Sequence, residues 1–243
     1  MGPLESNSLA QVAGVDIRTA VSAWLAGAPL YEVALLNHLT GRLGRRRKGC
    51  KIGFRRVHVT PSVSVLHARG NRKDKYGADL AVTLDIPSDA YLKTALFQLK
   101  LHEGGYVKLD QDQLRDAVNL EHTKQRSFVA AVDTKSGVVK IAAVGELLDV
   151  LASSGSAKIP LSHQIWYELD VWLFAWIQCL VGVPSDRCNP DIEYVLERFF
   201  ATELDGAPEA GGLENAGIEF SSDLHIVRAW LRLRLSYEGT GPA

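Results

Sequence analysis

The chain has 243 residues, 47% hydrophobic and 23% charged, a balance suited to a globular protein with one substantial core, alone or with an extension. Cys50, Cys179 and Cys188 are widely spaced and form no C-x-x-C pair or Cys/His cluster, which argues against a disulfide framework and a zinc or iron–sulfur site. Free thiols in a reducing cytoplasm are the expectation. The polar start MGPLESNS lacks the apolar stretch of a signal peptide, and the longest apolar run, VWLFAWIQCLVGV, is 13 residues, too short for a bilayer, so no membrane role is expected.

The formal net charge of −1 conceals an asymmetry. From Val33 to Lys73 there is no acid and there are eleven bases, so the rest of the chain holds 16 bases against 28 acids. Ten of those acids fall between Asp186 and Asp223, where Arg187 and Arg198 are the bases. An acid-free basic segment on a near-neutral protein is the footprint of a polyanion site.

In chain order, Val15 to Ala26 reads as an amphipathic helix closed by Gly27. A second helix is expected from about Pro29, with Leu30, Val33, Ala34, Leu36 and Leu39 at helical spacing and Glu32 in its first turn. RRVHVTPSVSVL alternates and is valine-rich, predicting one or two strands broken near Pro61. HARGNRKDKYG is a turn. ADLAVTLDI is then a strand of period two, with Leu80, Val82, Leu84 and Ile86 on one face and Asp79, Ala81, Thr83 and Asp85 on the other. In the next strand, TALFQLKLH, the residues Ala95, Phe97, Leu99 and Leu101 oppose Gln98, Lys100 and His102. LDQDQLRDAVNLEHTKQ has the acidic first turn of a helix, and SFVAAVDT is a fourth strand.

After Gly155 the pattern becomes helical. SHQIWYELDVWLFAWIQCLVGV carries Trp166, Trp172 and Trp176, which read as core packing before a base-stacking platform. PDIEYVLERFFATEL is a further helix, DGAPEAGGLENAG a loop, and HIVRAWLRLRLSY a strand over its second half. The expected architecture is therefore α/β: a mixed central sheet flanked by helices over 15–155, with an α-rich C-terminal extension over 156–243 packed on that core and offering a dimer or partner interface.

Within the αβββαβ block, Glu32 lies on the helix before the sheet, Asp79 follows Gly77 at a strand head, and Gln98 and Lys100 share a face of the next strand. This arrangement, GAD followed by QLK, resembles the PD-(D/E)xK nuclease superfamily and its restriction-endonuclease-like fold. The subgroup it most resembles carries Gln in place of the second acid, as in Mrr-like nucleases. The likeness spans about Pro29 to Asp133 and carries over to Glu32, Asp79, Gln98 and Lys100. It implies a Mg²⁺- or Mn²⁺-dependent deoxyribonuclease, with Asp79, the Gln98 amide oxygen, the Leu99 carbonyl and Glu32 around the cation and Lys100 beside the attacking water. The Gln-x-x-x-Tyr motif of RecB-type exonucleases is absent, since Gln111 leads to Arg115 and Gln113 to Ala117, which favours an endonuclease.

Phosphate contacts are expected from Arg42, Arg45, Arg46, Arg47, Lys48, Lys51, Arg55 and Arg56, with Gln113 and Arg115 reaching from the following helix. DNA is the expected partner in preference to RNA. The resemblance further implies a homodimer or a subunit of a larger complex, and by fold-level analogy a restriction or anti-phage defence role. Because Gln98 removes one negative charge from the cation site, a catalytically inactive nuclease-fold protein that binds nucleic acid or scaffolds a complex stands as the alternative. No Walker A, G-x-G-x-x-G, G-x-S-x-G or H-E-x-x-H motif points to other chemistry.

Overall fold

Residues 3–45, 47–52, 55–65, 73–74, 78–118, 125–183, 192–194, 196–197, 200, 224–225 and 227–237 are described by the computed structural model of the chain. Two helices open it, α1 (Pro3–Gly27) and α2 (Glu32–Leu43), joined at a corner where Trp24 Nε1 donates to the Pro29 carbonyl at 3.0 Å. Helix α1 starts well before Val15. Helix α2 starts later than Pro29, because Tyr31 is extended and serves as its N-cap. Leu30 and Val33 are consequently exposed, and the buried stripe is Ala34, Leu35, Leu36 and Leu39.

The strands are β1 (Arg47–Ile52), β2 (Arg55–Val65), β3 (Lys73–Asp74), β4 (Leu80–Ile86), β5 (Tyr91–His102) and β6 (Tyr106–Lys108). Helix α3 (Gln111–Val118), strands β7 (Ser127–Asp133) and β8 (Val139–Ala143) and helix α4 (Val144–Ser154) follow. The chain continues with β9 (Lys158–Pro160), β10 (Tyr167–Glu168), α5 (Leu169–Ile177), β11 (Leu224–His225) and β12 (Ala229–Tyr237). Eight of these strands form one mixed sheet in the order β1-β2-β12-β4-β5-β7-β8-β10. β12 runs parallel to β4 and antiparallel to β2, while β5 is antiparallel to β4 and parallel to β7.

Alternation along β4 and β5 sorts the side chains as their period requires. Leu80, Leu84, Ala95, Phe97 and Leu99 join one core with α1, α2 and α5. On the opposite face, Val129, Ala131 and Ala142 pack under Leu114 of α3 and Leu147 of α4. Further along that face, Ile192, Leu196 and Phe200, at helical spacing, cover Ala81, Leu96 and Trp230. The chain is thus α/β, with helices on both sides of a mixed sheet.

Strand β2 is continuous through Pro61, which pairs with Leu233; the described pairing with β1 ends at Val59, so no β1 ladder is interrupted there. Residues after 155, expected to form an α-rich extension, place β12 inside the sheet between β2 and β4. The tryptophans of α5 are spent in the core. Trp172 stacks on Trp176 at 5.5 Å and meets the edges of Phe97 and Phe128, so neither ring is free to form a dimer interface. Below them the Lys93 ammonium, wholly buried, donates to the Trp176 and Val181 carbonyls at 2.7 Å each, and burial pushes its pKa down to about 8. No helix among the described residues is long and apolar enough to cross a membrane.

Candidate metal and phosphate site

Asp79 stands immediately before β4, and its backbone is held from both sides. Its N–H donates to the Phe97 carbonyl at 2.7 Å, and its carbonyl accepts the Ala229 N–H at 3.1 Å. The carboxylate turns toward β5, where Oδ2 accepts the Leu99 N–H at 2.8 Å, and the residue is only 5% exposed. In an extended strand a residue's N–H and C=O leave by the same edge, so the Leu99 carbonyl is aimed toward Asp79 as well.

Gln98 and Lys100 lie on the face of β5 that α3 covers, opposite Phe97 and Leu99. Gln98 is buried, and its Nε2 has no hydrogen-bond partner among the described residues. Lys100 Nζ donates to Gln113 Oε1 of α3 at 3.4 Å and lies 4.0 Å from Glu32 Oε1 at the head of α2. Three elements that are distant in sequence therefore meet at one ammonium. A fourth contribution comes from the C-terminal strand: Arg228, one residue before β12, brings its Nε to 3.5 Å from Asp79 Oδ1.

These groups share one electrostatic field. Burial holds the Asp79 carboxyl above the usual carboxylate range, against the Leu99 N–H and the charges of Arg228 and Lys100. Burial also raises Glu32; Lys100 opposes this, the Asp79 charge adds to it, and Arg228 opposes it. Two carboxyl groups that resist ionisation next to each other are the condition a bound cation relieves. Among the described residues no three His, Cys, Asp or Glu side chains cluster as metal ligands. A cation here would take two carboxylates and complete its shell with amide, main-chain and water oxygens. That all-oxygen set suits Mg²⁺ or Mn²⁺ rather than zinc. The Gln98 Nε2, a buried donor with no partner among the described residues, cannot itself ligate a cation and would serve a water or anion oxygen.

Other expected site residues are elsewhere. Arg115, two positions beyond Gln113, is exposed and pairs with Asp112 at 3.3 Å, away from Lys100. Arg42 pairs with the buried Asp16 at 3.5 Å. Arg45, Lys51 and Arg56 are exposed, while Arg46 and the side chains of Arg47, Lys48 and Arg55 lie outside the described residues. The β1–β2 hairpin carrying Lys51 and Arg56 is at the opposite end of the sheet. Ala229, beside Asp79, pairs with Val65, whereas Arg56 adjoins Val57, which pairs with Tyr237. Eight residues of strand rise put these ends roughly 26 Å apart. Asp85 is spent at that far end on Arg232 and Arg234, at 3.1 and 3.9 Å.

Sequence reasoning missed Arg228, because nothing local to HIVRAW says which strand it will flank. It also assigned no part to His102, which shares the Gln98 and Lys100 face, is buried with no partner for Nδ1 among the described residues, and has its pKa lowered by that burial. No protein-family model matches this sequence, and no curated protein or solved structure is significantly similar to it.

Proposed function

We propose that the chain is a metal-dependent nuclease of the PD-(D/E)xK type, with a restriction-endonuclease-like core, hydrolysing phosphodiester bonds of DNA. The observation that carries this reading is the convergence of Glu32, Asp79 and Lys100 from α2, the head of β4 and β5, with Lys100 4.0 Å from Glu32 and the Asp79 carboxylate hydrogen-bonded to the residue between Gln98 and Lys100. Such a convergence supplies what hydrolysis of a phosphodiester requires: anionic oxygens to hold a hard cation, and an ammonium beside them.

Asp79, Glu32, the Gln98 amide oxygen and the Leu99 carbonyl would hold Mg²⁺ or Mn²⁺, which when bound lowers the pKa of water and neutralises charge on the phosphate. The chain's own residues do the rest. Asp79 cannot swing away, since its backbone is clamped and its Oδ2 is tied to the Leu99 N–H. Gln113 and Glu32 steady Lys100, so its ammonium is preorganised to orient the attacking water and to meet charge developing on the phosphate. The Gln98 Nε2 donor, buried and without a partner among the described residues, can bind a water or phosphate oxygen at the same centre.

Cleavage of linear and circular DNA with Mg²⁺ and Mn²⁺ tests the reading. The wild type should cut, and Asp79→Ala and Lys100→Ala should each lose roughly 10²-fold or more in rate. One observation favours a second reading, a non-catalytic binding or scaffold protein: Arg228 already supplies Asp79 with a protein cation at 3.5 Å. Absence of any cleavage of DNA or RNA by the wild type with either metal, with binding intact, would select it.

A further inference from the structure

We propose that Arg228 is the phosphate anchor of this site, a guanidinium that rests against Asp79 and passes to a non-bridging oxygen of the bound nucleic-acid backbone when a cation takes the carboxylate. The inference rests on the hydrolytic reading of the Asp79 centre and adds to it a substrate-binding residue from the far end of the sequence.

The Ala229 N–H bonds to the Asp79 carbonyl at 3.1 Å, and β12 then runs parallel to β4 from Ala229 opposite Leu80. Arg228 is therefore fixed alongside Asp79 by main-chain bonds, whatever its side chain does. The contact itself is loose. Nε reaches Oδ1 at 3.5 Å, beyond the usual 3.2 Å limit of a good N–H···O bond, while Oδ2 is already served by the Leu99 N–H.

Charge and exposure point the same way. The carboxylates of Glu32 and Asp79 stand against the cations of Lys100 and Arg228, so a divalent cation held by the carboxylates would add positive charge for an incoming phosphodiester to meet. Lys100 is enclosed by Glu32 and Gln113 with its side chain 18% exposed, whereas that of Arg228 is 40% exposed. Of the two cations, Arg228 is placed to receive substrate, and its planar fork suits two phosphate oxygens as a lysine does not.

The test uses a short DNA duplex bound in Ca²⁺, with salt titration, and then cleavage in Mg²⁺. Arg228→Ala should weaken binding about tenfold or more, as loss of a charge-assisted hydrogen bond does. It should also make the slope of log K against log salt shallower by about 0.9, the signature of one lost phosphate contact. In Mg²⁺ it should lower kcat/KM roughly 10²-fold without weakening Mg²⁺ binding. Arg228→Lys, which keeps the charge should the alanine variant fold poorly, should restore the salt slope while binding several-fold more weakly than wild type. Wild-type affinity and slope in Arg228→Ala would overturn the proposal and leave Arg228 as a structural partner of Asp79. Should the wild type cut nothing, the hydrolytic reading fails, and duplex binding alone still decides Arg228: a lost contact supports the anchor, an unchanged one refutes it.

Discussion

Asp79 is costly to the fold before any ligand arrives. Its carboxyl is buried and held above the usual carboxylate range by that burial, so the folded chain holds this proton more tightly than the unfolded chain does. Between the ordinary carboxylate pKa and the raised one, the folded state binds more protons; stability therefore falls as pH rises through that window, and the loss is complete above it. Asp79→Asn keeps an oxygen for the Leu99 N–H and removes the charge. We expect the variant to melt no lower than the wild type at neutral pH without metal, and to lack that segment of the pH slope. Mg²⁺ should then separate the two. At a hundred times its Kd, Mg²⁺ would add about 2.7 kcal/mol to the wild type, a rise of roughly 5–10 °C in Tm, and nothing to the variant. Equal Mg²⁺ shifts in both would show that the cation binds elsewhere. The neighbouring Gln98 was legible as a strand residue of the right face, but that its Nε2 finds no partner among the described residues was not, since that depends on what the rest of the fold brings over it.

Elements differ in how much of themselves the sequence discloses. The faces of β4 and β5 follow from alternation alone, and the apolar sets read from that alternation are the ones packed in the core. The break expected at Pro61 is absent because a proline disrupts a strand only where a ladder needs its N–H, and which edge is paired is a tertiary fact. The Trp-rich run predicts one long helix, yet Tyr167 and Glu168 first pair with β8, and α5 ends at Ile177, two residues before Cys179 takes a positive φ of 58°. β12 was readable as a strand, but its place between β2 and β4 was not: strand order is set by long-range pairing that local pattern does not encode. This placement makes a sharp prediction. Deleting residues 227–243, which would be tolerated if the C-terminal part were an appended extension, removes a strand hydrogen-bonded on both sides and the main-chain bond to Asp79. The truncated chain should lose its cooperative thermal transition by circular dichroism; a melt within a few degrees of the full chain would contradict the topology.

For the whole molecule, the decisive feature is how charge is laid out relative to the site. The acid-free segment predicts phosphate contacts that steer a polyanion toward the candidate centre, and its described hairpin bases, Lys51 and Arg56, stand roughly 26 Å from Asp79 along the sheet. A duplex contacting both would span about eight base pairs at 3.4 Å per step. Binding and chemistry should therefore separate. In a Lys51→Ala/Arg56→Ala double variant, duplex affinity should fall and the salt slope should become shallower by up to about 1.8, with kcat unchanged; a matching loss of kcat would place these bases at the reacting centre instead. The proposed nuclease activity requires Asp79, Glu32, Gln98 and Leu99 to enclose one cation beside Lys100. Anomalous scattering from a Mn²⁺-soaked crystal measures this directly. One peak about 2.0–2.3 Å from an Asp79 carboxylate oxygen and the Gln98 amide oxygen is the predicted result, and Mn²⁺ bound only at other positions, with Asp79 still against Arg228, would contradict it.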